Sequence, residues 1–265
     1  TPANSASYDA FHINSLQALP GGRILASARD TSAVYEIQRV GSRILWTLGG
    51  KAGDFHLGPG ARFYFQHDAQ LLSGDRISLF DDGAGPPQFE PYSRALILKL
   101  DHKHGRATVV RAYHRSTDTS SESEGSVQML PGGNVFAGFG ATPYFSQFSA
   151  GGRLLFDAAL PQDDGSYRAY RLPWTATPTT RPAAAARRTD PSSVAVYASW
   201  NGATAVARWQ VLAGTDAASL TPVASAPRSG FETRIAVAST ATLFAVRARD
   251  AHGRILATSP PVPVS

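Results

Sequence analysis

An internal repeat constrains the fold of this chain more than any other feature of its sequence. Three segments share one pattern: residues 17–26 read QALPGGRILA, residues 70–79 read QLLSGDRISL, and residues 128–137 read QMLPGGNVFA. Each pattern predicts a strand, a tight turn that contains glycine, and a second strand. The turn glycines Gly21, Gly74 and Gly132 place the repeats 53 and then 58 residues apart.

Two further strands follow each repeated hairpin. They are predicted at residues 33–37 and 43–47, at 95–100 and 108–113, and at 144–148 and 153–157. Four antiparallel strands that recur at this period are typical of β-propeller blades. We therefore expect residues 1–174 to form an arc of about three four-stranded blades. Because three blades cannot close a ring of the usual four to eight, each end of the arc should leave one flank unpaired.

The composition changes after Trp174, where the repeat ends. Residues 175–191 are rich in proline, alanine and threonine, which predicts a linker. Residues 192–265 alternate apolar and polar side chains again. Four aromatic residues in that segment stand where a fibronectin type III sandwich carries its core aromatics: Trp200, Trp209, Phe231 and Phe244. The predicted fold class is all-β, a partial β-propeller followed by a fibronectin type III or immunoglobulin-like β-sandwich.

The composition excludes several classes of protein. The absence of cysteine excludes a disulfide scaffold, a thiolate zinc site and a cysteine nucleophile. No apolar run approaches the roughly 18 residues of a membrane helix, so no membrane span is expected. The net charge is +5, but the arginines are spread along the chain rather than gathered in a stripe, so nucleic acid is not an expected partner. Residues 1–15 lack the basic and apolar regions of a signal peptide.

Two short polar patterns suit turns as well as they suit metal sites. His102 and His104 lie two residues apart, a spacing that suits metal ligands on a strand, but their position between two predicted strands favours a solvated turn. Asp81 and Asp82 precede a glycine and suit either calcium or a turn. Generic catalytic and nucleotide-binding motifs are absent from the sequence. We therefore predict neither a metal site nor a cofactor.

One polar cluster differs from these patterns. His12 and Asn14 lie two residues apart at the start of the first strand, so their side chains point to the same side. A two-residue turn at Gly21–Gly22 would set Asn14 opposite Arg29, whereas a turn one residue earlier would set His12 opposite Arg29. Either register places Arg29 on their face. His67 occupies the position equivalent to Asn14 in the second repeat.

First strands of propeller blades line the central channel, so these four side chains should converge on one face. Neutral imidazoles can act as nucleophile or base, and amide and guanidinium groups can bind an oxyanion. The alternative is that they are ordinary polar residues that line a channel and bind water.

The residues around this cluster resemble the arylsulfotransferase family, in particular its actinobacterial type. The matching motifs are DAFHINS at residues 9–15, SARDTSAVY at 27–35, ILWTLGGK at 44–51, QHDA at 66–69, LFDDG at 79–83 and SYRAYRLPW at 166–174. The resemblance implies a propeller that moves a sulfuryl group from an aryl sulfate to a phenol, through a transiently sulfurylated histidine and without a nucleotide donor.

Matched motif by motif, the resemblance makes His67 the nucleophile and His12 a second catalytic histidine, with Asn14 and Arg29 as sulfate binders. Asp82 lies across the strand from His67 in one register, where it would orient the ring or serve only as a turn residue. The partners implied are small-molecule aryl sulfates and phenols.

Two departures from the family qualify these expectations. Members have six blades and a small N-terminal β domain, and a further active-site histidine from an earlier blade has no counterpart before His12. The sequence therefore predicts a C-terminal part of a longer protein, an aryl-sulfate sulfotransferase if the other blades are supplied. A non-catalytic binding or scaffold propeller and aryl sulfate hydrolysis are the alternatives. The family and the fibronectin-like module favour a secreted or cell-envelope location, with a signal peptide upstream.

Overall fold

The computed structural model of the protein describes residues 9–85, 87–115, 119–161 and 164–265. Within these ranges all regular secondary structure is β-strand, apart from one 3-10 turn at Pro131–Gly133. Among the described residues, no helix is long and apolar enough to cross a membrane. The chain divides into two compact units, Thr1–Arg171 and Leu172–Ser265.

Three open sheets make up the first unit, and they are antiparallel apart from one short parallel pair in sheet B. Sheet A contains β1 (Ile13–Leu19), β2 (Arg23–Ala28), β3 (Ala33–Gln38) and β4 (Arg43–Gly49). Sheet B contains β5 (His56–Leu57), β6 (His67–Leu72), β7 (Arg76–Asp81), β8 (Arg94–Asp101) and β9 (Arg106–Tyr113), with β5 pairing parallel to β9. Sheet C contains β10 (Ser126–Met129), β11 (Val135–Gly138), β12 (Tyr144–Phe148) and β13 (Leu154–Ala159). The three repeated segments therefore form the first hairpin of each sheet.

Strands β7 and β8 of sheet B are buried on both faces, against cores shared with sheets A and C. Leu79 and Leu96 belong to a core that they share with Leu48 of sheet A. Phe80, the next residue along β7, belongs instead to a core shared with Phe148 of sheet C. Because successive side chains of a strand point to opposite faces, a strand buried on both sides is apolar at consecutive positions.

The outer faces of sheets A and C carry apolar side chains that remain exposed. Leu16 and Ile44 on sheet A are 66% and 53% exposed, and Phe156 on sheet C is 47% exposed. None of these three side chains belongs to the cores that sheets A and C share with sheet B.

The second unit contains two sheets around one core. Its strands are β14 (Ala183–Asp190), β15 (Ser193–Ser199), β16 (Arg208–Gly214), β17 (Thr221–Pro227), β18 (Glu232–Ala238), β19 (Leu243–Arg249), β20 (Ile255–Thr258) and β21 (Val262–Pro263). One sheet has the order β14-β15-β18, and the other has the order β17-β16-β19-β20 with β21 beside β19. Trp200, Trp209 and Phe244 lie in the core between them.

Two residue assignments in this unit differ from the sequence-based prediction. Residues 183–190, which the composition placed in the linker, form β14, because Ala186 pairs with Val196 and is buried in the core. Phe231 was expected among the core aromatics but is 69% exposed. It precedes β18 in a bend, so the alternation that buries Thr233 and Ile235 does not fix its direction.

Candidate functional site

The open end of the first hairpin brings His12 beside Arg29. The turn spans three residues, 20–22, and the register then shifts between Ile13 and Ser15. As a result, the backbone N–H of Arg29 donates to the carbonyl oxygen of His12 at 3.0 Å. The structure thus sets His12 opposite Arg29, the second of the two predicted pairings. It reaches this pairing through a three-residue turn and a β-bulge rather than through a two-residue turn.

His12 stands exposed at the rim of this hairpin. Its backbone N–H donates to Oδ1 of Asp9 at 2.8 Å, and its Nδ1 lies 2.8 Å from Oδ2 of the same carboxylate. These hydrogen bonds lower the pKa of Asp9. The Asp9 carboxylate therefore orients the His12 ring. Nε2 of His12 makes no hydrogen bond within the described residues.

Asn14 connects sheet A to the strand that carries the second histidine. Its Nδ2 donates to the backbone oxygen of Gln66 at 2.7 Å, one residue before His67. Its Oδ1 is buried and has no hydrogen-bond partner among the described residues. A buried carbonyl oxygen without a partner is rare in folded proteins. Because this oxygen only accepts hydrogen bonds, the remaining N–H of Nδ2 is the group of Asn14 that could donate to an anion.

Arg29 is held on three sides with its plane fixed. The guanidinium lies 4.6 Å from the centre of the Phe65 ring, a cation–π contact. It also donates to Asp30 Oδ1 at 2.9 Å and to the backbone oxygen of Glu122 at 3.0 Å. A guanidinium carries five N–H donors, so donors remain for a planar or tetrahedral anion.

His67 begins β6 and is almost fully buried, with a relative exposure of 2%. Its Nδ1 lies 2.8 Å from Oδ2 of Asp82 and 3.0 Å from the backbone oxygen of Phe65. Its Nε2 accepts the backbone N–H of Glu124 at 3.2 Å. The ring is thus held at both nitrogens, by sheet B on one side and by the segment before β10 on the other.

These partners determine which nitrogen of His67 carries the proton. The Phe65 carbonyl can only accept a hydrogen bond, so it requires N–H at Nδ1. The Glu124 N–H can only donate, so it requires a lone pair at Nε2. We therefore assign the neutral Nδ1–H tautomer to His67, with Asp82 as a second acceptor for that proton.

Electrostatics favour the neutral form of the ring as well. Burial is the main cause that lowers the pKa of His67 to about 4. The hydrogen bond to the Phe65 carbonyl acts against it, and the charges of Arg29, His12 and Arg168 act in the same direction as burial. Burial also raises the pKa of Asp82 well above its usual range, and the neighbouring Asp81 adds to that effect. A neutral imidazole with its electron pair on Nε2 is the form that can attack an electrophile once the hydrogen bond from Glu124 opens.

The segment after sheet C supplies site residues to which sequence reasoning gave no role. Arg168 donates to the backbone oxygen of Asn14 at 2.8 Å and lies 3.5 Å from Oδ1 of Asp68. The Tyr167 ring centre lies 6.2 Å from that of His67. Both belong to the SYRAYRLPW motif, which was the available signal. Asp68 accepts the N–H of Val127 at 3.0 Å, on the side toward sheet C.

Histidines and carboxylates elsewhere have separate partners. His102 packs against Phe55 and Trp46, whereas His104 Nδ1 lies 2.7 Å from Asp101 Oδ2. In the described part of the chain, one group could hold a metal ion: the exposed side chains of Asp9, His12 and Asp30.

Comparison with known proteins gives one family. The family model described as Arylsulfotransferase (ASST) matches residues 1–160, which is more than half of the chain. No curated protein matches the chain. Among solved structures, it is similar to a protein of unknown function from Bacteroides caccae, at 12% identity and a TM-score of 0.40, over 95% of this chain and 82% of that one. The motifs around His12, Arg29 and His67 lie inside the matched range, and the chain belongs to the arylsulfotransferase family.

Proposed function

We propose that this protein transfers a sulfuryl group from an aryl sulfate donor to a phenolic acceptor, with His67 as the group that carries it. The observation that supports this most directly is the pairing of buried His67 with Asp82, which leaves the electron pair on Nε2. A histidine in this state is a nucleophile at neutral pH, and Arg29 stands close enough for its charge to lower the pKa of the ring.

In the first step the Nε2 electron pair attacks sulfur, and the bond between sulfur and the aryl oxygen breaks. The electron pair of that bond leaves on the phenolate oxygen. The hydrogen bond from Glu124 to Nε2 opens at this point, because the same electron pair forms the new N–S bond. Asp82 accepts the Nδ1 proton in a hydrogen bond and stabilises the cationic ring.

In the second step an acceptor phenol attacks the same sulfur, the N–S bond breaks, and its electron pair returns to Nε2. His12 would protonate the departing phenolate and then deprotonate the acceptor. Arg29 and Asn14 would bind the sulfuryl oxygens, whose negative charge is spread over three positions as in phosphoryl transfer. No cofactor takes part in either step.

We also propose that sheets A, B and C are neighbouring propeller blades. Strand β1 contacts β6, and β10 contacts both β6 and β7, as expected if the first strands lie around one axis. The exposed apolar faces of sheets A and C would suit further blades. The two sheets of the second unit support a fibronectin type III-like sandwich. A secreted or cell-envelope location fits such a module and is tested by fractionating the full-length protein.

The experiment that tests the function uses 4-nitrophenyl sulfate alone, followed by intact-mass measurement. We expect one added sulfuryl group on the wild-type protein and on the control His104→Ala, and none on His67→Ala. An adduct that persists in His67→Ala would show that another residue is the nucleophile.

Release of nitrophenol distinguishes the alternatives. Release that depends on an added phenol supports transfer, and release that does not depend on it indicates hydrolysis. A protein that forms no adduct and releases no nitrophenol is a binding or scaffold protein.

A further inference from the structure

A pocket lies beside Phe65, whose ring also contacts Arg29. It has a volume of about 420 Å³, within the range of small-molecule sites. Its wall includes Asp30, whose carboxylate pairs with Arg29, so the pocket borders the site described above. Phe65 is the shared wall, with Arg29 over its ring.

Phe65 is held in an unusual backbone conformation to form that wall. Its φ angle is +56°, a region that bulky side chains rarely occupy. The hydroxyl of Ser32 accepts its backbone N–H at 3.1 Å, and its carbonyl oxygen contacts His67 Nδ1. The position of the aromatic ring is therefore coupled to the orientation of the proposed nucleophile.

Stacked aromatic rings form another wall of the pocket. Tyr64 and Phe89 lie nearly parallel, with ring centres 4.2 Å apart, and Phe65 lies 5.8 Å from Phe89. The backbone N–H of Phe89 donates to the oxygen of Gly83 at 2.8 Å, which fixes its position. Phe89 is nevertheless half exposed, so one face of its ring is open to a further aromatic group.

Two cations line the same pocket. Lys51 and Arg62 are both exposed, and neither side chain forms an ion pair with the part of the chain that the structure describes. The loop that carries Lys51 is closed by hydrogen bonds from Gly50 to Ser32 and from Asp54 to Thr47, each 2.8 Å long. The pocket therefore combines an open aromatic face with unpaired positive charge.

We propose that this pocket binds the far end of an aryl substrate whose ring carries a second, anionic group. The ring would stack on Phe89, and the anionic group would lie between Lys51 and Arg62. The reacting oxygen would extend past Phe65 toward Arg29 and His67. This inference rests on the proposed sulfuryl transfer, because it assigns the pocket to a substrate of that reaction.

The test compares binding of 4-hydroxybenzoate and 4-hydroxybenzamide, which differ in charge but hardly in shape. Binding is followed by NMR chemical shifts of the full chain. We expect the carboxylate to bind about fivefold to tenfold more tightly, with shifts at Phe89, since each exposed ion pair contributes a factor of a few. The double variant Lys51→Ala, Arg62→Ala should lose this preference. Phe89→Ala should weaken both ligands alike.

The matched control is Arg43→Ala with Lys103→Ala, which removes the same two charges from exposed positions outside the pocket. It should retain the preference. Equal affinity for the two ligands, a preference that survives in the pocket variant, or no binding of either ligand would overturn the proposal. Binding and sulfurylation of His67 are separate readouts, so a protein that shows the preference without the adduct refutes the transfer and leaves the anionic aryl site standing.

Discussion

Oδ2 of Asp82 lies 2.8 Å from Nδ1 of His67, and the two side chains are 0% and 2% exposed. An ionisable pair this deeply buried depends on its mutual hydrogen bond, because neither group has water to replace the other. The carboxylate therefore helps to hold the orientation of the imidazole, while the tautomer follows from the Phe65 carbonyl and the Glu124 N–H.

Asp82→Asn should preserve the shape of the site and remove the negative charge beside the ring. The amide oxygen can still accept the Nδ1 proton, so the tautomer that Phe65 and Glu124 require is kept, but the cationic, sulfurylated ring loses its stabilising carboxylate. We expect kcat to fall by about a hundredfold or more, by analogy with orienting carboxylates in other histidine sites. The assay is nitrophenol release in the presence of a phenol. Unchanged circular dichroism serves as the control, and near-normal kcat would mean that the carboxylate does not stabilise the cationic ring.

The pH dependence of the reaction should show the low pKa of His67. Because burial lowers that pKa to about 4, the ring stays neutral well below its ordinary value of 6.5. Activity should stay constant as the pH falls from neutral to 5, and it should then decrease about tenfold per pH unit below pH 4. An acid limb near pH 6.5 would contradict this. As the pH falls from 6.5 to 4, His67 takes up a proton in the unfolded chain but not in the folded one, so the free energy of unfolding decreases. Folding is therefore checked at each pH.

Arg29→Lys keeps the positive charge but removes the planar fork. A lysine cannot stack on Phe65 and donate to Asp30 and Glu122 in the same geometry. We expect kcat/KM for the aryl sulfate to fall by about tenfold to a hundredfold. Steady-state kinetics over a range of donor concentrations measure this. An unaltered kcat/KM would show that only charge is needed there.

Gly125 supports the segment that contacts His67, and its substitution should destabilise the first unit. Its φ is +100°, and a Cβ atom would lie 2.3 Å from Cδ1 of buried Phe80. Gly125→Ala should therefore cost about 3 kcal/mol or more. Gly132→Ala is the matched control: φ is +77°, but no atom lies within 4 Å of the added Cβ, so about 1 kcal/mol is expected. Urea denaturation compares the two, and similar losses would argue against the steric explanation.

Local patterns in the sequence predicted much of the strand content. Residues 33–37 and 43–47 were expected as strands, and β3 and β4 occupy Ala33–Gln38 and Arg43–Gly49. Alternation and glycine turns are short-range signals, so they can be read without knowledge of packing. The bulge between Ile13 and Ser15 was not predicted, because no special residue there marks the extra position.

The contacts of the candidate site were less accessible to sequence reasoning. Arg168 contacts Asn14 from 154 positions away, and the partner of His67 at Nε2 is the main chain of Glu124, not a side chain. A backbone donor leaves no signature in residue type. Asp82 could be predicted as a neighbour of His67 because the possible cross-strand registers of a short hairpin are few and can be worked out from the sequence.

Because His67 is held by Asp82 within sheet B and by Glu124 ahead of sheet C, the fully hydrogen-bonded form of its ring exists only when both sheets are assembled. A ribosome-bound chain that ends before Glu124 would contain the motifs around His67 without its partner at Nε2. If His67 carries the sulfuryl group as proposed, its sulfurylation would report on the docking of consecutive sheets. The rate of His67 sulfurylation during refolding would then measure when sheets B and C dock, which a measurement of strand formation alone does not give.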